Sequence, residues 1–172
     1  MYNGGALASV ALAVCEMFRT VKIAATHTYA ELSPLGSHLI LDPLWSTESL
    51  TFVHDGCEAD RLDKIRLLAQ KPDLLRILRV CARDYTTDVY NCGVCPKCVM
   101  TMIGLHVAGA LETCPTFPHE IDLTLVRDLV VTNRTQRVYL EQLVTALGSS
   151  EQDQAIKTAL ETCLSRANSG TN

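Results

Sequence analysis

The chain has few aromatic residues and no concentration of charge. Aromatics make up 5% of its 172 residues, and the formal net charge is −4. Lysine and arginine form no run that would create a basic surface. Bulk electrostatic attraction to nucleic acid is therefore not expected.

Long hydrophobic runs are also missing. No apolar run reaches the roughly 18 residues that a membrane span requires. The apolar segment 6–14 has no basic residue before it, so it is a poor signal peptide. These two absences predict a cytoplasmic protein without a membrane anchor.

Cysteine, in contrast, is abundant, and half of it is concentrated in one stretch. Four of the eight cysteines fall within residues 81–98, with the spacing C-x10-C-x2-C-x2-C. A zinc ion bound by thiolates takes four of them about 2.3 Å away in a tetrahedron. The spacing predicts a closed, structural zinc site formed by Cys81, Cys92, Cys95 and Cys98.

Three other uses of these cysteines compete with zinc. Disulfides are disfavoured because no secretory segment is present and cytosolic thiols stay reduced. An iron–sulfur cluster uses a similar C-x2-C-x2-C run, but with its fourth cysteine close downstream, whereas Cys81 lies upstream. A thioredoxin-like redox pair would leave two cysteines without a role. A site closed by four protein thiolates has no open position for substrate, so the metal would support the fold.

The hydrophobic pattern indicates an α/β fold. Short apolar strands are predicted at 21–25, 50–53 and 77–80, and helices alternate with them. This order predicts a partial, doubly wound parallel sheet of about three strands. The remaining helices are predicted at 6–19, 60–70, from 72, 96–109, 123–131, 135–147 and 151–167.

The predicted organisation has three parts. A partial α/β domain covers 1–112 and includes the zinc loop 81–98, an all-helical extension covers 113–168, and a disordered tail covers 169–172. Three strands are few for such a sheet. We therefore expect either a homo-oligomer or a protein partner, bound through the sheet edge or the helical C-terminal third.

Polar residues follow the first two predicted strands, where open α/β sheets bind ligands. His38 and Asp42 lie in or just after the long loop 26–41, where they either bind substrate or make loop-stabilising hydrogen bonds. His54 and Asp55 follow the second strand directly. A histidine beside a carboxylate could serve as a general base or as a group on the magnesium side of a site. The alternative is that Asp55 caps the next helix.

A linear series of motifs resembles the C-terminal half of the ATP pyrophosphatase, or adenine-nucleotide alpha-hydrolase, superfamily. More distantly, it resembles 7-cyano-7-deazaguanine synthases, which carry a zinc-binding Cys…Cys-Gly-x-Cys-x-x-Cys motif. The series covers about residues 4–125, and only the cysteine motif is specific. Its members are Gly36-Ser37-His38, Leu41-Asp42-Pro43-Leu44-Trp45-Ser46-Thr47-Glu48, His54-Asp55-Gly56, Arg61, Lys64-Ile65, Arg79-Val80-Cys81 and Asn91-Cys92-Gly93-Val94-Cys95-Pro96-Lys97-Cys98.

The resemblance implies cleavage of ATP between the alpha and beta phosphates, with magnesium and a small carboxylate or modified base as substrate. It also implies that Arg61 and Lys64 contact phosphate or substrate, although solvated side chains are the alternative. The superfamily's Ser-Gly-Gly-x-Asp-Ser loop is absent. Asn3-Gly4-Gly5 is similar to it only superficially, in its pair of glycines. Thr101 also stands where the related synthases usually carry arginine. The chain is thus either a truncated or a degenerate relative.

Two functions remain open at this point. The first is the zinc-bearing portion of an ATP-dependent adenylating ligase or synthase, not competent alone because the pyrophosphate loop is missing. The second is a non-catalytic, zinc-stabilised α/β module that mediates protein interaction. Whether the chain is an enzyme is left undecided by its sequence.

Overall fold

The computed structural model describes residues 3–33, 35–81 and 89–169. The chain divides into two compact units, Met1–Asp60 and Arg61–Asn172. This division falls elsewhere than the predicted boundary at residue 112, which remains a prediction. Residues 170–172 of the predicted tail and 82–88 of the predicted zinc loop lie outside the described residues.

The first unit contains a helix and two parallel strands. Helix α1 is Asn3–Ala13, strand β1 is Thr20–Ala24 and strand β2 is Thr51–Asp55. In their register Val21 lies opposite Phe52 and Ile23 opposite His54. β-branched and aromatic side chains favour the extended backbone here. The first two predicted strands are confirmed to within two residues, and the predicted helix 6–19 begins and ends earlier.

The core of this unit lies on one face of the two strands. Ala8 of α1 packs with Ile23, Leu50 and Phe52. On the opposite face the β1 residues Thr20, Lys22 and Ala24 are exposed, and Val53 of β2 is half-buried. A doubly wound sheet has helices on both faces. Within the described part of this unit α1 covers a single face, so the structure supports a mixed α/β fold but not the doubly wound arrangement.

The second unit is helical. Its elements are α2 (Arg61–Ala69), α3 (Pro72–Leu75), α4 (Pro96–Val107), α5 (Leu123–Arg127), α6 (Arg134–Ala146) and α7 (Glu151–Ser169). All six correspond to predicted helices, although α5 ends at Arg127 and not at 131. No helix among the described residues is long and apolar enough to span a bilayer.

Helix α4 is the centre of this unit. Its residues from Cys98 to Leu105 are all buried, as expected of a helix that is apolar on every side. Helices α2 and α6 pack against it. The hydroxyl of Tyr139 on α6 donates to the carbonyl of Met100, at 3.2 Å.

The third predicted strand is wrong. Ile77 lies in a turn, and residues 78–80 have irregular backbone. The side chain of Asn91 explains the difference, because it accepts from the Val80 N–H and donates to the Leu78 carbonyl, both at 2.9 Å. These are backbone groups that a sheet ladder would otherwise use. The described residues therefore contain two strands, both in the first unit.

Candidate metal centre

Four cysteine sulfurs converge in the second unit. The Sγ atoms of Cys81, Cys92, Cys95 and Cys98 all lie within 4.8 Å of one another. Cys81 Sγ is 3.9 Å from Cys95 Sγ, and Cys92 Sγ is 3.8 Å from Cys98 Sγ. These are the four cysteines that the sequence spacing selects.

The separations between these sulfurs fit one tetrahedral ion. Metal–sulfur bonds of 2.3 Å in a regular tetrahedron place neighbouring sulfurs about 3.8 Å apart. In an iron–sulfur cluster the four thiolates are divided over two or four irons, so the most distant sulfurs lie further apart than around one ion. A disulfide needs sulfurs about 2.05 Å apart, and all eight cysteines are free. The predicted metal site is confirmed as a cluster that could hold an ion, and the disulfide alternative is wrong for these residues.

The turn from Cys92 to Cys95 delivers two of the sulfurs. Gly93 adopts φ +71°, in the left-handed region that favours glycine. The turn brings the Cys95 N–H to Cys92 Sγ at 3.3 Å. Pro96 then occupies the first turn of α4, where its missing N–H has no helical partner to lose. Cys98 follows within that same turn, so local geometry assembles three of the four sulfurs.

The fourth sulfur is held in place by Asn91. The Asn91 Oδ1 accepts from the Val80 N–H at 2.9 Å and from the Cys81 N–H at 3.2 Å. The Asn91 Nδ2 donates to the carbonyls of Leu78 at 2.9 Å and Thr116 at 3.2 Å. This buried amide therefore uses all its hydrogen-bonding capacity to fix the backbone of Cys81 beside the Cys92 turn.

Burial shapes the electrostatics of the site. Cys81 and Cys98 are buried, and Cys98 is wholly inaccessible to solvent. Loss of hydration raises the pKa of the Cys98 thiol, and a hydrogen bond with the Cys95 side chain raises the pKa further. A thiolate without a counter-charge is costly in such a place, and a bound metal cation supplies that charge. The donor set is therefore suited to a soft cation.

A groove of about 830 Å³ adjoins the Cys92 side of the cluster. Three carboxylates, those of Glu112, Glu120 and Asp122, line it together with His119. Hydrogen bonds from the Thr124 side chain and backbone lower the pKa of Asp122. Four protein thiolates would close the coordination shell of the ion. A molecule in the groove would therefore meet the carboxylates and would find no open metal position.

The first unit brings three of the predicted ligand-binding residues together. Asp42 is fully buried, and its Oδ2 accepts from the Ser37 hydroxyl at 2.7 Å and lies 2.6 Å from His54 Nδ1. Asp42 Oδ1 accepts from the His38 N–H at 3.2 Å. The His38 ring itself accepts from the Ile40 N–H at 3.2 Å. These contacts are the predicted loop-stabilising hydrogen bonds, and a role in ligand binding remains a prediction.

His54 and Asp55 do not act as a pair. They are successive residues of β2, so their side chains point to opposite faces of the sheet. The His54 side chain is 6% exposed and pairs with Asp42, whereas Asp55 forms an exposed ion pair with Lys22 at 3.1 Å. The carboxylate partner of His54 is thus twelve residues away in the sequence, where spacing could not reveal it.

Arg61 and Lys64 belong to the second unit, on α2. The Arg61 guanidinium lies 5.2 Å from the ring centroid of Tyr139, which places it in a cation–π contact. This contact gives Arg61 a packing role within the helical unit. The phosphate contact that the resemblance implies for Arg61 and Lys64 is untested.

Sequence reasoning gave no role to Asn91 or Ser37. Both belong to the motif series, yet the partners of Asn91 lie 10 to 25 residues away in the chain. The one available signal is that each polar residue directly precedes a predicted site residue. That signal does not identify which backbone groups the side chain reaches.

No protein-family model matches the chain. No curated protein and no solved structure matches it either. The resemblance to ATP pyrophosphatases therefore depends on the motif series alone.

Proposed function

We propose that the second unit binds one zinc ion through Cys81, Cys92, Cys95 and Cys98, and that this ion stabilises the fold. The observation that carries the proposal is the convergence of four sulfurs within 4.8 Å. Tetrahedral all-thiolate sites favour zinc among the metals of ordinary cells, and iron is the main competitor.

The bound ion joins two parts of the chain. Cys81 lies in the irregular segment that follows α3, while Cys92, Cys95 and Cys98 lie just before α4 and in its first turn. The thiolates hold the metal, Asn91 orients the backbone of Cys81, and the Cys95 N–H donates to the Cys92 sulfur. The ion supplies positive charge and a cross-link between these segments.

Metal analysis of the purified chain tests this proposal. We expect about one zinc per chain, and cobalt substitution should give the absorption of a tetrahedral thiolate site. Cys92→Ser should abolish stoichiometric binding. Cys15→Ser is the matched control, because Cys15 is also partly buried but lies outside the cluster. A folded protein without metal would contradict the proposal. Iron found together with acid-labile sulfide would show that the cysteines hold an iron–sulfur cluster and not zinc.

We further propose that the chain is the zinc-bearing portion of an ATP-dependent adenylating ligase or synthase. The order of the motifs around the cysteine cluster supports this function. His38, Asp42, His54 and Asp55 are the proposed substrate or nucleotide contacts in the first unit. Arg61 and Lys64 are the proposed contacts in the second. Without the Ser-Gly-Gly-x-Asp-Ser loop, the chain would not catalyse the reaction by itself.

Calorimetry with ATP and magnesium tests the nucleotide part of this proposal. We expect weak or no binding to this chain, and micromolar affinity would mean that it carries a complete nucleotide site. The coding sequence upstream of Met1 provides a second test. An in-frame Ser-Gly-Gly-x-Asp-Ser would support the ligase assignment, whereas a stop codon immediately upstream would favour a degenerate relative.

The alternative function is a zinc-stabilised module for protein interaction. One observation favours it: α1 has no charged side chain and buries only Gly4 and Ala8. An apolar helix with a free flank is typical of a surface that another molecule covers. This alternative predicts association without any effect of ATP.

A further inference from the structure

Helix α1 is apolar around most of its circumference but packs on one side. Its sequence, Asn-Gly-Gly-Ala-Leu-Ala-Ser-Val-Ala-Leu-Ala, contains no charged residue. Ala8 faces the strands, and Ala11 and Leu12 pack beside it. Helices that are apolar on every side are usually buried on every side. We therefore expect another molecule to cover the remaining apolar surface of α1.

The exposed flank is centred on Val10, which lies about 200° around the helix from the buried Ala8. The indole ring of Trp45 lies beside Gly5, 3.9 Å from where a β-carbon would stand. At about 100° per residue, Leu7 is about 200° around the helix from Gly5 and about 100° from Ala8, so it lies at the edge of this flank. Leu7 is 52% exposed, and Val10, one turn further along, is 68% exposed.

Four exposed side chains continue this flank with a regular spacing. Leu7, Val10, Val14 and Met17 follow one another at intervals of three, four and three residues. Leu7 and Val10 lie on neighbouring turns of one face of α1, and Val14 follows the end of that helix. We call this exposed apolar series the seam. Met17 belongs to the 3-10 turn Cys15–Met17 that follows α1, and it is 73% exposed. The seam thus extends past the end of the helix.

The area of the flank is near the minimum for a specific interface. With the adjoining Phe18, which is 49% exposed, the seam presents roughly 500 Å² of apolar surface per copy. Two such surfaces would bury about 1,000 Å² in total, the lower bound for specific association. An interface of this size is expected to be weak, with a dissociation constant in the micromolar range.

The charges of α1 favour a second copy over a lipid surface. Amphipathic helices that bind anionic membranes carry lysine and arginine on their polar face, and α1 carries neither. Two copies of this flank can meet without net repulsion, because α1 is uncharged and the exposed Glu16 and Arg19 beside Met17 and Phe18 are of opposite sign. We propose that two chains associate through this seam across a twofold axis, so that the same four residues are buried on both. This inference does not rest on the ligase proposal. It rests on the same observation as the alternative function and names a second copy of the chain as the partner, so a monomer would overturn it without affecting the zinc site.

Sedimentation equilibrium of the zinc-loaded chain under reducing conditions tests the proposal, from about 1 to 200 μM. Val10→Asp should raise the dissociation constant at least tenfold, because it buries a carboxylate in the seam. Val10→Thr keeps the side-chain shape and should weaken association less. Val130→Asp is the control, because Val130 is 70% exposed but lies in the second unit.

The result that supports the proposal is a wild-type dimer that Val10→Asp abolishes and Val130→Asp retains. Circular dichroism should show that the Val10→Asp protein is folded, since the site is exposed in a single chain. A wild-type monomer at the highest concentration would overturn the proposal. So would a dimer that persists in Val10→Asp, or association that appears only when lipid vesicles are added.

Discussion

Asn91 has the largest number of identified contacts of any single side chain around the cysteine cluster. Its amide satisfies four buried or half-buried backbone groups, of Leu78, Val80, Cys81 and Thr116. A buried polar group that loses its partner costs about 1–3 kcal/mol. The position of Cys81 therefore depends on an interaction that does not involve its own sulfur.

We predict that Asn91→Ala lowers the free energy of unfolding by at least about 3 kcal/mol and weakens zinc affinity. Urea denaturation and competition with a chelator measure the two effects. Asn133→Ala is the control, because Asn133 caps α6 and its Oδ1 accepts from the Gln136 N–H at 2.9 Å. That substitution should lower the free energy of unfolding by about 1 kcal/mol and leave the zinc affinity unchanged. Equal affinities for both variants would rule out the orienting role.

Gly93 offers a second prediction at the level of one residue. A β-carbon at Gly93 would lie 2.7 Å from Pro118 Cγ, in addition to occupying φ +71°. Gly109 has a similar φ of +67° but no atom within 4 Å of the same position. Gly109→Ala should therefore lower the free energy of unfolding by about 1–2 kcal/mol, through the strained backbone conformation alone.

Gly93→Ala should cost more than Gly109→Ala, and it should also reduce zinc affinity because the Cys92–Cys95 turn must shift. Thermal unfolding and chelator competition on the two variants provide the comparison. If both lose the same stability and both bind zinc normally, the contact with Pro118 has no effect on the site.

At the level of elements, the N-terminus of α7 shows how a cap and a neighbouring helix act together. The Asp153 N–H donates to the Ser150 hydroxyl at 3.0 Å, so Ser150 caps the helix. Asp153 Oδ1 lies 2.7 Å from His106 Nε2 on α4. Hydrogen bonds from the Ser150 side chain and then from His106 lower the pKa of Asp153.

This lowered pKa predicts how stability depends on pH. A carboxyl with a depressed pKa in the folded state stabilises the fold above its unfolded value, near 3.9. The contribution is lost as the pH falls through the folded value. The stability difference between wild type and Asp153→Asn should therefore shrink as the pH falls below about 4.

Urea unfolding of both proteins across pH 2.5–7 measures this difference, and any loss of metal affects both alike. Asp73→Asn is the control, because the Asp73 side chain is 96% exposed. It should change the free energy of unfolding by less than about 0.5 kcal/mol throughout. A difference for Asp153→Asn that stays constant down to the lowest pH would contradict the assigned interaction.

At the level of the whole molecule, the metal is expected to decide whether the helical unit is stable. Structural zinc contributes about 10–16 kcal/mol in zinc-finger peptides, which is as large as the total stability of a typical domain. The cysteine cluster lies at the start of α4, the most buried helix of the unit. Loss of the ion should therefore destabilise α4 as well as the Cys92–Cys95 turn.

We predict that removal of zinc by a chelator at pH 7 lowers the melting temperature and exposes the first turn of α4 to hydrogen exchange. Mass spectrometry of residues 89–107 measures the exchange. The same chelator saturated with zinc is the control. Unchanged protection in the metal-free protein would show that the hydrophobic core alone maintains this region.

The sequence alone determined the helices, both strands of the first unit and the four metal-binding candidates. Hydrophobic periodicity and the cysteine spacing are local patterns, so the chain carries them before it folds. Pro96 and Ser150 mark helix starts for the same reason.

Tertiary structure decided the rest. Residues 77–80 have the apolar pattern of a strand, but the distant amide of Asn91 takes the hydrogen bonds that would make them one. His54 and Asp55 are neighbours in sequence, but the pleat of β2 separates them and a loop brings Asp42 to His54. In each case the deciding partner lies at least ten residues away, and a chain's local pattern does not specify which distant groups folding will place within hydrogen-bonding distance.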